Sequence, residues 1–173
     1  MERSDIEGAL RDVAVELNHR GIVAHIRLVG GAAMVLEYAA RESTSDVDAS
    51  FHPNETVRKV AVAVGQTRGL PVDWLNDAAA IFIPSFKEPA WVEVMTVGTV
   101  AVTAADPRTL LAMKMRASRG QRDAPDLEVL LAACEIASVD AALRLYEEHF
   151  PEDPLPDRAH AMIDFAIEKR RET

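Results

Sequence analysis

The chain has a single cysteine, Cys134, so neither an intramolecular disulfide nor a cysteine-based zinc cluster can hold it together. That scarcity fits a reduced compartment, and a cytoplasmic location is expected. No apolar run approaches the roughly 20 residues that a membrane span needs. The start, Met1-Glu2-Arg3-Ser4-Asp5, lacks the pattern of a secretory signal, and no membrane partner is expected. Aromatic residues are few, at 5%, and the 49% that are hydrophobic are mostly Ala, Val and Leu, enough to build a core. Basic residues are outnumbered 28 to 19 by acidic ones, and the net charge of −9 argues against broad, nonspecific nucleic-acid binding. No internal repeat or low-complexity segment interrupts the 173 residues, a length suited to one compact domain or to a core plus a small helical extension.

The periodicities divide the chain into an α/β half and a helical half. Ser4-Asp5-Ile6-Glu7 has the pattern of a capping box, followed by Ile6, Leu10, Val13 and Leu17 at helical spacing, with Gly21 as the stop. His25 to Val29 reads as a strand. Gly30-Gly31 breaks it, and Ala32 to Ala40 reads as a helix. Val47 to Phe51 is a second strand. Asn54 is expected to cap a helix bearing Val57, Val60, Ala61 and Val64, stopped at Gly69-Leu70-Pro71. Val72 to Leu75, Trp91 to Met95 and Val97 to Thr103 read as further strands, the last two joined by a turn near Val97-Gly98. From Asp106-Pro107, a cap followed by a first-turn proline, the pattern is helical. Pro125 opens one helix, Ser138 caps the next, and a last helix follows from Asp157. The expected fold class is α+β: a small mixed or antiparallel sheet flanked by helices, with a C-terminal helical cap. The expected division is an α/β core over residues 1–104 and a helical extension over 105–173 packed on it.

One constellation carries chemistry. Leu28-Val29-Gly30-Gly31 is followed, after fourteen residues, by Asp46-Val47-Asp48. Residues two apart on a strand point to the same side, so the two carboxylates stand together and repel each other unless a cation lies between them. Hard oxygen donors of this kind select Mg²⁺ or Mn²⁺. The glycine pair lets backbone approach a phosphate and opens a helix whose first amides favour anions. Asp-x-Asp alone is commonly a surface feature, and the combination is what is specific.

Those residues, with Ser45, resemble the signature of the polymerase-β-like nucleotidyltransferase superfamily, in which a Gly-Gly or Gly-Ser step precedes Asp-hydrophobic-Asp; the spacer here is slightly long. Leu111-Ala112-Met113-Lys114-Met115-Arg116-Ala117-Ser118-Arg119, with Arg122-Asp123 and Asp126-Leu127, is similar to a lysine-then-aspartate motif of a bacterial subgroup that includes nucleotidyltransferase-like toxins of toxin–antitoxin systems. The resemblance covers residues 25 to 131. It implies transfer of a nucleoside monophosphate from an NTP to an acceptor, tRNA or protein, with an antitoxin as a partner. It implies Asp46 and Asp48 as metal ligands and catalytic residues, Gly30, Gly31, Ser45 and Lys114 at the nucleotide, and Lys114 also as a catalytic cation that neutralises charge developing toward the leaving pyrophosphate. A third carboxylate on a later strand falls to Asp73 by order, with Glu93 as the rival. Asp123 is expected to position Lys114, to act as a general base, or simply to cap the helix before Pro125.

Lys114 can also be weighed by itself. At about 100° per residue it falls among Leu110, Leu111 and Ala117, away from Arg108, Arg116 and Arg119. An ammonium on an apolar face needs an anion or must snorkel outward. The stretch holding Arg108, Lys114, Arg116, Arg119 and Arg122 has acids only at its ends, Asp106 and Asp123, and is either a locally basic acceptor surface or a solvated helix face. His19, His25, His52, His149 and His160 show no metal-ligand spacing, and Cys134 reads as a small buried hydrophobe. Two other functional classes stay open. One is a catalytically degenerate nucleotide- or partner-binding module. The other is a metal-dependent sugar transferase, which the short chain and early Gly-Gly disfavour.

Overall fold

Alternation along the first two predicted strands sets the architecture. In the computed structural model, which describes residues 1–38 and 41–171, strand β1 (Ala24–Leu28) buries Ala24, Ile26 and Leu28 and exposes His25 and Arg27. Strand β2 (Val47–His52) buries Val47, Ala49 and Phe51 and leaves Asp48 and Ser50 half-buried. Strand β3 (Leu75–Asn76) is short, and β4 (Trp91–Val97) and β5 (Val100–Ala105) form a hairpin. The strand order is β3-β2-β1-β5-β4. β1 runs antiparallel to β2 and parallel to β5, so the sheet is mixed and the fold α+β, as the patterns predict.

Helix α1 (Arg3–His19) and helix α3 (Asn54–Arg68) lie against each other and against the sheet, closing the apolar face with Ile6, Leu10, Val13, Leu17, Val57 and Val60. Helix α2 (Gly30–Glu37) follows β1 and buries Ala32 through Leu36. The expected end of α2 at Ala39 and Ala40 lies outside the described residues. Residues Met1–Ile81 and Trp91–Ala105 make one compact unit.

The second unit comprises Phe82–Ala90 and Asp106–Thr173. It holds α4 (Pro107–Ala117), α5 (Ala124–Ala133), α6 (Val139–His149) and α7 (Asp157–Arg171). Its core is Leu110, Leu111, Met115, Leu127, Leu130, Leu131, Leu145, Tyr146, Ile163 and Ile167. Two predicted caps are present: Asp106 accepts from the Thr109 amide at 3.0 Å and Ser138 from the Ala141 amide at 3.2 Å. Residues 82–90 join this unit through Arg116 over the Phe82 ring and a 2.6 Å Lys87–Glu148 pair. No helix among the described residues is long and apolar enough to cross a membrane.

Four local expectations are corrected. The first helix begins at Arg3, and Asp5 accepts from the Glu2 amide at 2.9 Å, so the box is Glu2/Asp5; Glu7 instead pairs with Arg3 at 2.8 Å. Asn54 is inside α3 behind Pro53, and its side chain donates to Asp77 at 2.9 Å, away from the helix amides. Residues 72–74 are a turn closed by Trp74 N to Pro71 O at 3.2 Å; Trp74 is pinned by its indole to Ala61 O at 2.8 Å, so pairing starts only at Leu75. The hairpin turn is Gly98-Thr99, with Val97 paired to Val100 and Gly98 at φ +56.

Candidate functional site

The glycine pair and the aspartate strand meet. Gly30 has φ +61, a left-handed conformation, and opens α2 directly after the extended Val29. A Cβ on Gly30 would lie 2.7 Å from Asp48 Oδ2, and one on Gly31 would lie 2.5 Å from Thr44 Oγ1. The glycines therefore admit the chain's own Asp48 carboxylate and Thr44 hydroxyl against the start of α2. The first turn of α2 carries no acidic residue, so the Asp48 carboxylate supplies the negative charge that a helix start favours. The Val29 amide donates to Asp48 O at 2.9 Å, fixing the strand at that point.

Asp46 lies one residue before β2, half-buried like Asp48 and separated from it by buried Val47, so the two carboxylates share a side. Ser45 Oγ donates to Asp46 Oδ1 at 2.8 Å, and Asn76 Nδ2 donates to Asp46 Oδ2 at 3.1 Å. The side chain is thus oriented by two neutral donors. Asn76 is also the Cα partner of Asp48 across β2 and β3. The adjacent-strand position beside the pair is therefore an amide. Asp73 is exposed in the turn before β3. Glu93 is on β4, at the opposite edge of the sheet, where it accepts from Thr96 at 3.0 Å. Neither joins Asp46 and Asp48, and no group of three His, Cys, Asp or Glu among the described residues could hold a metal. Sequence reasoning missed Asn76 because a two-residue strand has no readable alternation.

Two hard carboxylates still fit Mg²⁺ or Mn²⁺, since Mg²⁺ is commonly held by one or two protein carboxylates, with waters and substrate phosphates completing its shell. The fit rests on the donor set: both groups are half-buried, and their side also carries the glycine-built approach at Gly30.

The second unit contains a different charge cluster. Lys114 is 4% exposed, and Asp123 and Asp126 are 0% exposed. The Lys114 ammonium lies 2.8 Å from Asp123 Oδ1 and 2.7 Å from Asp126 Oδ2, joining α4 to the start of α5. The Arg119 amide and Nε also donate to Asp123 Oδ2, at 2.9 and 3.1 Å. Burial alone would raise the Asp123 pKa; hydrogen bonds from Arg119 and Lys114 and the lysine charge outweigh it and bring it from 3.8 to about 2. The anion that Lys114 requires is thus supplied within its own unit, and the side chain does not snorkel. Asp123 precedes α5, but its carboxylate makes no cap hydrogen bond. The basic stretch is likewise answered by acids from elsewhere in the unit: Arg116 pairs with Asp153 at 2.6 Å, and Arg108 lies 3.7 Å from Glu148.

His149 is buried; burial lowers its pKa, and its Nδ1 lies 2.7 Å from Leu145 O. Cys134 is half-buried, and burial pushes its thiol up to about 11, which keeps it unreactive. No protein-family model, curated protein or solved structure matches the chain.

Proposed function

We propose that this protein is a nucleotidyltransferase that moves a nucleoside monophosphate from an NTP to an acceptor. The observation that carries the reading is the pair of half-buried carboxylates, Asp46 and Asp48, on one side of β2, with Asp48 seated against Gly30 at the start of α2. Asp46 and Asp48 would hold Mg²⁺ or Mn²⁺, which when bound supplies the positive charge that a triphosphate needs. Ser45 and Asn76 keep the Asp46 carboxylate in a fixed orientation, so little reorganisation is required on binding. Gly30 and Gly31 let the Asp48 carboxylate and the Thr44 hydroxyl lie directly against the α2 start. In the transfer, the acceptor hydroxyl oxygen forms the new bond at the α-phosphorus, its proton passing to solvent, as the bond to pyrophosphate breaks and pyrophosphate leaves. Lys114 and Asp123 enter this reading as scaffold of the second unit, because their charges are already matched to each other and to Asp126.

The acceptor proposed from the motif resemblance is tRNA or protein, in a cytoplasmic, toxin-like role with an antitoxin as partner. A second reading, a binding module of the same fold without turnover, is favoured by one feature: the partner of Asp48 on β3 is Asn76, not a third acid. Incubation with labelled NTPs, Mg²⁺ and either bulk tRNA or protein acceptors tests the first reading. Wild type should transfer label and Asp46→Ala should not. If wild type transfers nothing above the mutant while calorimetry still detects NTP, the binding-module reading replaces it; if neither occurs, both readings are lost.

A further inference from the structure

Two histidines that are remote in sequence meet across the sheet. His25 on β1 and His52 on β2 are Cα partners in the antiparallel ladder. Direct partners point to the same face, with Cβ atoms about 4.5–5.5 Å apart. Their neighbours Ala24, Ile26 and Phe51 are buried and both histidines are exposed, so both imidazoles stand on the outward face. Among the described residues neither imidazole has a hydrogen-bond or ion-pair partner. The closest cation on that face of β1 is Arg27, whose guanidinium lies 5.1 Å over the Trp91 ring on β4, on the far side of β1 from β2. Two unpaired imidazoles thus stand side by side on one face, with the nearby cation drawn toward Trp91.

We propose that His25 and His52 form a two-imidazole site for a borderline divalent cation such as Zn²⁺. Imidazole nitrogens suit Zn²⁺, Ni²⁺ and Cu²⁺, whereas the carboxylates of Asp46 and Asp48 suit Mg²⁺. No third His, Cys, Asp or Glu among the described residues completes a cluster, so water fills the remaining positions. His52 and Asp48 share a face but stand four residues apart, about 13 Å along the strand, so the two sites share no ligand. The site is independent of the proposed transfer reaction.

Calorimetric titration of the whole protein with ZnCl₂, in excess Mg²⁺ to mask the carboxylates, tests this. One Zn²⁺ per chain is expected, with affinity falling at least about tenfold in His25→Ala and in His52→Ala. His19→Ala and His160→Ala should leave it unchanged. In NMR spectra the ring signals of His25 and His52 should shift together on substoichiometric Zn²⁺, with those of buried His149 unmoved. Absence of Zn²⁺ binding by wild type, or affinity insensitive to His25→Ala, overturns the proposal, as does a Zn²⁺ response confined to other histidine rings.

Discussion

The two acidic clusters use the same side chains to opposite ends. Asp46 and Asp48 are half-buried, with neutral donors, Ser45 and Asn76, on Asp46. Asp123 and Asp126 are fully buried and face Lys114, with Arg119 added to Asp123. A carboxylate already matched by a lysine in a closed environment has no remaining demand for a ligand, and its loss is paid in stability. Asp46, which retains access and is oriented by two neutral donors, can still take a cation. Exposure and the charge of the nearest donor, more than the motif in which an aspartate sits, distinguish Asp46 from Asp123 here.

The sharpest way to break this distinction is Lys114→Met, which keeps the bulk of the side chain and removes the ammonium shared by two buried carboxylates. Removing one partner of a buried pair typically costs about 3–5 kcal/mol, so denaturant midpoints should fall steeply. A loss below about 1 kcal/mol would mean that the cluster is not the structural element of its unit.

Gly30→Ala tests the other cluster through its backbone. The new methyl group would enter a left-handed position and approach Asp48 Oδ2 at 2.7 Å. A cost of about 2–3 kcal/mol is expected from strain and displacement of the carboxylate, read by thermal unfolding. A neutral outcome would show that Asp48 moves freely and that its placement is not built in.

Acid titration sharpens the comparison. The folded pKa of Asp123, about 2, lies below its ordinary 3.8, so the stability from its ionised form is full above about pH 4 and is lost as pH falls toward 2. The shift corresponds to about 2 kcal/mol. Unfolding curves at stepped pH should show this loss in wild type and a smaller one in Asp123→Asn.

How much of this was legible beforehand follows from the range of each interaction. The α+β class, the caps at Asp106 and Ser138 and the face shared by Asp46 and Asp48 come from patterns within a few residues. Asn76, the partnering of His25 with His52 and the acids that answer the basic stretch do not, because each depends on pairing between segments far apart in the chain. Asp153 and Glu148 reach Arg116 and Arg108 only once α4 and α6 are folded together. The capping box sits two residues earlier than the pattern at Ser4 predicts, because Ser4/Glu7 and Glu2/Asp5 both have the required spacing and Arg3 draws Glu7 away.

The smallest expected change in stability is the most informative about function. Asp46→Asn preserves shape and leaves an oxygen to accept from Ser45 or Asn76, so unfolding should shift by no more than about 0.5 kcal/mol. The same substitution removes one of two anionic donors, so calorimetry should show weakened Mg²⁺-dependent NTP binding and the labelled-transfer assay a near-complete loss. Stability and ligand binding would then separate at Asp46, as they should not at Asp123. If Asp46→Asn instead unfolds the protein as readily as Asp123→Asn does, both aspartate clusters are structural, and the half-buried pair loses its claim to a cation.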